Sequence, residues 1–386
     1  MIFLDANAST PIRAEVLDAM LPWLRDGYAN PSGSHSEAKR ARAAIENARA
    51  QVAAFLGALP EEIVFTGGGT ESVNTALRSL DGNSGAGHGL ISAIEHSAAL
   101  RCAETLQREV IMVPVNAGGR IEMDRFAEGL EGAAFVSIMT ANNETGVIQP
   151  IREIAAMAKA LGLPVHTDAV QAVGKIPFDA RGLGVDLASV SAHKFHGPKG
   201  VGALFVRCGT AFSPMLLGGG QESGRRSGTE NTAGIVGMGA AAAAMGRLLE
   251  SGSATQLAAL RDAFESKVLE EVSGVTVNGD LRHRLPNTSH LSFDGCEAAG
   301  LLILLDEAGI ACSAGSSCMS GKHRPSHVQV AMGIDETRAR SSLRFGFSTL
   351  NTMGEAYAAA VMVKRAVEKL RRVQGSGVGP VQVYCT

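Results

Sequence analysis

The stretch Ser191-Ala192-His193-Lys194-Phe195-His196-Gly197-Pro198-Lys199-Gly200 follows the mostly apolar run 185–190 and ends in a Gly/Pro loop. This pattern predicts that Lys194 lies at the end of a buried β-strand. Partial desolvation there would lower the pKa of the lysine and free its amine as a nucleophile that can form a Schiff base with an aldehyde. A lysine that only caps the strand end is the alternative interpretation, and this stretch alone does not decide between them.

A second short strand ends upstream in His166-Thr167-Asp168-Ala169-Val170-Gln171. Ligands of open parallel sheets bind outside the carboxyl ends of the strands, so we expect Asp168 and Lys194 at one such edge. An acid that keeps a pyridine nitrogen protonated and a lysine that binds an aldehyde suit pyridoxal 5'-phosphate (PLP). We therefore predict PLP as the cofactor.

Strand patterns alternate with helical patterns between residues 62 and 206, which predicts an α/β fold with a mostly parallel sheet flanked by helices. One strand-to-helix turn, Gly67-Gly68-Gly69-Thr70, would offer backbone N–H groups to a phosphate. Taken alone, a glycine triplet is weak evidence, because most such triplets are flexible turns. His96 follows another strand end, where it would either cap the next helix or stack on a planar ring and transfer protons.

The composition restricts the class of protein. A chain of 386 residues exceeds the usual single-core limit of about 250–300 residues, so two domains are expected. A formal net charge of −3 gives no electrostatic indication of direct nucleic-acid binding. No signal-peptide pattern and no apolar run of roughly 18 residues is evident, so we predict a cytoplasmic protein without membrane association. The six cysteines lack metal-site spacing and are expected to be thiols, so no metal is predicted.

Taken together, the motifs resemble those of cysteine desulfurases of the NifS/IscS type, and the resemblance runs from residues 4–10 to residues 342–345. It implies a type I PLP-dependent transferase fold with a small α+β C-terminal domain. We expect a large PLP-binding domain at 13–250 and a small domain formed by 1–12 and 251–386. The motifs that carry the resemblance are His166–Gln171, Ser191–Lys194, Arg226-Ser227-Gly228-Thr229-Glu230-Asn231 and Gly315-Ser316-Ser317-Cys318.

The resemblance also implies an activity, namely conversion of L-cysteine to L-alanine in a homodimer. Sulfur would pass through a persulfide on Cys318 to an acceptor protein, either an iron–sulfur cluster scaffold or a thiolation system. Catalytic roles are implied for Cys318, Lys194 and His96, and substrate binding for Arg344 and Asn143. Thr229 would reach the cofactor phosphate of the neighbouring subunit. The full set of implied cofactor-binding residues is Gly69, Thr70, His96, Asn143, Asp168, Gln171, Ser191, His193, Lys194 and Thr229.

Two cysteines are candidates for the nucleophile that takes the sulfur from the substrate. Cys318 lies among small residues, and Lys322, His323 and Arg324 would favour its thiolate. Cys312 is a candidate by proximity and ranks second, because the residues around Cys318 keep the spacing of the family. The basic turn 322–324 departs from the family pattern. It therefore leaves open which acceptor protein receives the sulfur from Cys318.

Two other functions are compatible with the motifs. A selenocysteine lyase or another PLP-dependent β-lyase would use the same scaffold. A non-catalytic PLP-binding scaffold for sulfur-transfer partners is disfavoured by the complete set Asp168, Lys194, Cys318 and Arg344. The glycine-rich tail 371–386 ends in Cys385-Thr386 and does not resemble the partner-docking end of housekeeping members, which favours a specialised partner.

Overall fold

The computed structural model describes residues 1–314 and 325–375. In these ranges the chain forms a seven-stranded sheet and two smaller sheets. The strands are β1 (Ile2–Phe3), β2 (Ile63–Thr66), β3 (His88–Ser92), β4 (Val110–Val113), β5 (Ala133–Ser137), β6 (Val165–Asp168), β7 (Leu187–Ser191), β8 (Gly202–Val206), β9 (Val275–Val277), β10 (Thr288–Phe293), β11 (Ile310–Ala311) and β12 (Ser342–Gly346).

Helices cover the sheets. The α-helices of the described residues are α1 (Ala14–Arg25), α2 (Ser36–Phe55), α3 (Gly69–Asn83), α4 (Ser97–Ala103), α5 (Met123–Gly129), α6 (Ile151–Ala160), α7 (Ala180–Leu183), α8 (Thr232–Glu250), α9 (Ser253–Glu271), α10 (Ala298–Glu307), α11 (His327–Ala331), α12 (Glu336–Arg340) and α13 (Met353–Gly375).

The large sheet has the order β2-β8-β7-β6-β5-β3-β4. All its strands are parallel except β8, which is antiparallel to both β7 and β2. Every residue of β5, β6 and β7 is buried, because helices cover both faces of the sheet. This is the mostly parallel α/β architecture that the sequence predicts.

Helix α8 packs along α1 and α2 on one face of the sheet. Among the described residues it is the one helix whose length and composition would allow it to cross a membrane, and most of it is buried inside the fold. Our sequence criterion, an apolar run of roughly 18 residues, did not single it out. Its alanines and glycines let the three helices approach closely, so packing inside the fold accounts for its apolar character.

The two smaller sheets lie near the ends of the chain. Strands β9, β10 and β12 form an antiparallel sheet, and β1 pairs in parallel with β11. Their core includes Phe264 and Phe345, whose ring centroids lie 4.7 Å apart. Asp5 bridges to Gly346, which brings the N-terminal segment beside β12. The domain boundaries given above remain a prediction.

The fold places the predicted polar residues at one edge. Strands β6 and β7 end at Asp168 and Ser191, and β2 and β3 end shortly before Gly69 and His96. Because these strands are parallel, their carboxyl ends meet at the same side of the sheet.

Candidate active site

Lys194 follows β7 in a single 3₁₀ turn, Ala192–Lys194. Its Nζ donates to the carbonyl oxygens of Asn7 (2.7 Å) and Ala8 (2.9 Å). Partial burial lowers the pKa of Lys194 to about 8, the cation of Arg344 acts in the same direction, and the carboxylates of Asp168 and Asp5 oppose it. A sizeable fraction of neutral amine is therefore present near physiological pH, as expected for a nucleophilic lysine.

Asp168 and His96 lie close to Lys194, and the charge of each of these groups affects the pKa of its neighbours. Asp168 is 6% exposed, and its Oδ1 accepts the N–H of Val170 at 2.9 Å. Burial raises the pKa of Asp168, while that hydrogen bond and the cationic forms of His96 and Lys194 lower it. The desolvation of His96 by the surrounding protein lowers its pKa. Its Nδ1 accepts the N–H of Ala98 at 3.1 Å, so the neutral imidazole carries its proton on Nε2.

Helix α3 begins beside this group without a side-chain cap. Its N-cap, Gly68, has φ 146°, a conformation that favours glycine. A Cβ atom on Gly69 would lie 2.9 Å from Val170 Cγ2 and 3.4 Å from Ser191 Cβ. The uncapped N–H groups of α3 thus face a small space bordered by Ser191, with Thr70 exposed at the same terminus. Such a helix terminus binds phosphate well.

The N-terminal segment closes the site from the other side. The carbonyl of Asn7 accepts from Gln171 Nε2 at 2.9 Å as well as from Lys194. Ser9 Oγ lies 3.2 Å from His193 Nδ1, and the Thr10 N–H donates to the His193 carbonyl at 2.8 Å. Burial lowers the pKa of His193 to about 4, so its imidazole is neutral. Sequence reasoning assigned no role to Asn7 or Ser9, because no spacing rule connects them to Lys194.

Arg344 projects from the middle of β12 and is 7% exposed. Its Nη1 donates to the Asn143 carbonyl at 2.8 Å, and its Nη2 donates to Asp5 Oδ1 at 2.7 Å. Its Nε is buried without a hydrogen-bond partner. An unpartnered N–H next to Nη2 leaves one edge of the guanidinium able to bind a carboxylate. Asp5, which the sequence did not identify as a site residue, lies next to that edge.

Two buried carboxyl groups were also missed. Burial and the charge of Asp168 raise the pKa of Glu95 to about 8, and its Oε2 has no partner. Burial raises the pKa of Glu144 to about 7, and its Oε2 accepts from Ser326 Oγ at 2.6 Å. Each lies next to a predicted site residue, Glu95 before His96 and Glu144 after Asn143, but only the fold reveals that they are buried.

The remaining predicted residues either lie apart from this cluster or fall outside the described residues. Thr229 is exposed and has no hydrogen bond to the other predicted site residues. Cys318, Lys322, His323 and Arg324 lie outside the described residues, as does Cys385.

The described residues on either side of Cys318 are held at the site. The backbone of Ser313 exchanges hydrogen bonds with that of Arg344. On the other side, Ser326 contacts Glu144, and His327 Nε2 donates to the Glu95 carbonyl at 2.9 Å. Burial raises the pKa of the Cys312 thiol to about 12, so Cys312 is protonated and a poor nucleophile.

These residues fit PLP. The uncapped terminus of α3 offers donors to its phosphate, and glycine at position 69 lets that terminus pack against Val170 and Ser191. Asp168 is a buried carboxyl group whose charge interacts with that of Lys194, as suits an acid for the pyridine nitrogen and an amine for the aldehyde of one ring.

Comparison with known proteins gives the same result. Residues 2–358 match the family described as aminotransferase class-V. A cysteine desulfurase of Sinorhizobium fredii is 44% identical over 377 residues, covering 96% of this chain and 97% of the relative. The cysteine desulfurase NifS of Azotobacter vinelandii is 42% identical over 389 residues, covering 99% and 96%. A solved structure described as SspA in complex with cysteine is 34% identical, with a TM-score of 0.80, covering 91% of this chain and 100% of that one.

These matches confirm the predicted fold class, the PLP cofactor and the resemblance to cysteine desulfurases of the NifS/IscS type. The chain belongs to the class-V aminotransferase family.

Proposed function

We propose that this protein is a PLP-dependent cysteine desulfurase that converts L-cysteine to L-alanine and moves the sulfur to Cys318. The observation that carries the proposal is the group formed by Lys194, Asp168 and Arg344 at one edge of the sheet. Relatives named cysteine desulfurase over nearly the whole chain support the substrate, as does the solved structure described as a complex with cysteine.

The positions of the cofactor-binding residues support a role for each. Gly69, Thr70, Ser191 and His193 would hold the phosphate, and Asp168 would keep the pyridine nitrogen protonated. When bound, PLP supplies an electron sink that stabilises negative charge on the substrate α-carbon. The exposed Thr229 is available to the phosphate of a neighbouring subunit, so we propose a homodimer.

Proton transfer falls to Lys194 and His96. The pKa of Lys194 is about 8, so its amine can accept the α-proton at neutral to mildly alkaline pH. The lowered pKa of His96 favours the neutral imidazole, which can take up a proton on Nδ1 once that atom leaves the Ala98 N–H and can give a proton back from the imidazolium.

Substrate selection would depend on Arg344. Its buried Nε has no partner, and a carboxylate on the Nε/Nη2 edge would satisfy it. The backbone carbonyl of Asn143 accepts from Arg344 Nη1, so Asn143 lies beside the guanidinium, which supports a role in substrate binding. The Arg344 site therefore favours substrates with an α-carboxylate.

Sulfur transfer is assigned to Cys318. Its thiolate would attack the sulfur of the substrate, forming an S–S bond as the Cβ–S bond breaks. The electron pair of that bond stays on the carbon, which is protonated to the methyl group of alanine. Cysteine plus the Cys318 thiol thus give alanine plus a Cys318 persulfide, with atoms and electrons balanced. Anchors on both sides of residues 315–324, at Arg344 and at Glu144, support delivery of this thiol to the site.

The persulfide would pass its sulfur to an acceptor protein. Relationship to NifS-type enzymes supports an iron–sulfur cluster scaffold, and a thiolation system is the other acceptor class. We place the enzyme in the cytoplasm, where a reducing environment keeps Cys318 as a thiol.

Replacement of the nucleophile tests the proposal. In Cys318→Ser, alanine and sulfide formation from L-cysteine should fall at least about a hundredfold, because the remaining hydroxyl cannot accept sulfur. Cys312→Ser is the matched control and should retain the activity of the unmodified protein. Retention of full activity in Cys318→Ser would refute the assignment, and loss in Cys312→Ser alone would transfer the role to Cys312.

A further inference from the structure

Lys175 is a buried lysine that the proposed mechanism does not use. It follows β6 in the turn after Gln171 and is 4% exposed. Among the described residues no carboxylate lies within salt-bridge distance of it, and residues 315–324 and 376–386 contain no Asp or Glu. Burying a lysine without an acidic partner is costly whether it keeps its charge or loses it, so its place here points to a specific task.

The contacts of Lys175 suggest what that task is. Its Nζ donates to Gln171 Oε1 at 2.5 Å. A backbone carbonyl can only accept, so the Gln171 amide atom bonded to the Asn7 carbonyl is the nitrogen, and the amide oxygen faces Lys175. That nitrogen donates one proton to the Asn7 carbonyl at 2.9 Å, the same carbonyl that accepts from Lys194. Its second N–H is left for the site.

Charged and titratable groups surround Lys175. Burial lowers its pKa well below the usual range, and the cations of Lys194 and Arg344 act in the same direction. Lys175 in turn contributes to the lowered pKa values of His193 and His196. The charged and the neutral amine can both donate to the Gln171 oxygen, so this contact does not depend on the charge of Lys175.

We propose that Lys175 is a positioning residue that holds Gln171 with its amide nitrogen directed at the phenolic oxygen of bound PLP. The proposal rests on the proposed function. A donor at that oxygen stabilises the anionic form of the oxygen, so the visible absorbance of the holoprotein should change with pH at a lower midpoint than without the donor. Without Lys175, the Asn7 carbonyl alone holds the amide, so its nitrogen is positioned less firmly and part of this effect is lost.

A double-mutant cycle on the holoprotein tests this coupling. The variants are Lys175→Met, Gln171→Leu, and the two combined. The readouts are the bound PLP per chain and the pH midpoint of the visible absorbance. Lys159→Met, on the exposed side of α6, is the matched control. Lys175→Arg keeps a donor-only cation and is the conservative variant.

We expect Lys175→Met to bind PLP and to raise the midpoint by about half to one pH unit, the effect of one hydrogen bond. Gln171→Leu should raise it by as much or more, and the double variant no further than Gln171→Leu alone. Lys159→Met should leave the midpoint unchanged, and Lys175→Arg should restore at least part of the shift. Met removes a buried charge without creating a cavity, so the variant should fold.

Three results would overturn the proposal. One is an unchanged midpoint in Lys175→Met. Another is a shift that adds to that of Gln171→Leu, which would mean that Lys175 acts through its charge alone. The third applies if Lys175→Met does not fold. In that case the proposal is overturned if Lys175→Arg shifts the pH midpoint of the absorbance as far as Gln171→Leu does. If the unmodified protein shows no visible band with PLP, the proposed function fails as well.

Discussion

Glu222 joins the loop that carries Thr229 to the body of the large sheet. Its carboxylate accepts from Arg49 Nη1 and Nη2, both at 2.7 Å, and from the backbone N–H of Phe65 at 2.8 Å. The Glu222 side chain is only 3% exposed and that of Arg49 10%. These bonds also hold Glu222 and Ser223 at φ 50° and 58°, in the left-handed region that non-glycine residues avoid.

Glu222→Gln should be strongly destabilising. It leaves the exposed carboxylate of Glu46, 3.1 Å from Arg49 Nε, as the only remaining counter-charge of Arg49 among the described residues, and it turns one acceptor into a donor that faces Arg49. Loss of one partner of a buried ion pair costs about 3–5 kcal/mol, and the contact with Glu46 places the expected cost near the lower figure. The exposed pair Arg101–Glu104, with its two atoms 2.8 Å apart, is the matched control, and Glu104→Gln should cost at most about 1 kcal/mol.

Urea unfolding followed by circular dichroism measures both variants, with the change in free energy taken from the shift in midpoint at constant m. The combination of Arg49→Met and Glu222→Leu should recover most of the loss, because it removes both charges. If Glu222→Gln lay within about 1 kcal/mol of Glu104→Gln, the reasoning about the buried pair would be refuted.

Three further predictions concern charge at the site. The pKa of Lys194 is about 8, so the rate of PLP uptake by the apoprotein should rise with pH up to about 8 and then level off. Stopped-flow absorbance measures this rate, and a rate independent of pH would contradict the prediction. Arg344→Lys removes the Nε/Nη2 edge, so KM for L-cysteine should rise about tenfold or more, with a smaller fall in kcat. An assay of alanine formation measures both constants, and an unchanged KM would count against carboxylate binding at Arg344. Burial raises the pKa of Glu144 from 4.5 to about 7, so its contribution to stability is present below pH 4.5 and is lost as pH rises to about 7. Urea unfolding at several pH values should show that Glu144→Gln loses less free energy of unfolding over this pH range than the unmodified protein does. An equal loss in the two proteins would show that Glu144 does not titrate in this range.

The sequence was most informative where local pattern and tertiary structure agree. The runs 202–206 and 288–293 each predict a buried strand from the sequence, and the structure has strands Gly202–Val206 and Thr288–Phe293. The pattern after His96 predicts a helix through about Gln107, but helix α4 ends at Ala103, since Thr105 Oγ1 donates to the Cys102 carbonyl and Asp81 accepts the N–H of Gln107. The second of these contacts comes from another part of the fold.

The same distinction applies to the site. Asp168 and Lys194 could be located from the sequence because strand ends of a parallel sheet share an edge. Asn7, Lys175 and Glu95 could not, because their importance lies in burial and in partners distant along the chain. A lysine or glutamate in a sequence is expected at the surface, and only the folded chain shows that these two are enclosed.

The measurement that tests the central claim most directly is an absorbance spectrum of the PLP-reconstituted protein before and after addition of L-cysteine, with alanine and sulfide assayed in the same sample and Lys194→Ala as control. We predict a visible band that changes on addition of cysteine, formation of both products, and loss of band and products in Lys194→Ala. A protein that shows no band with PLP, or a band that cysteine does not alter and no products, would contradict the account.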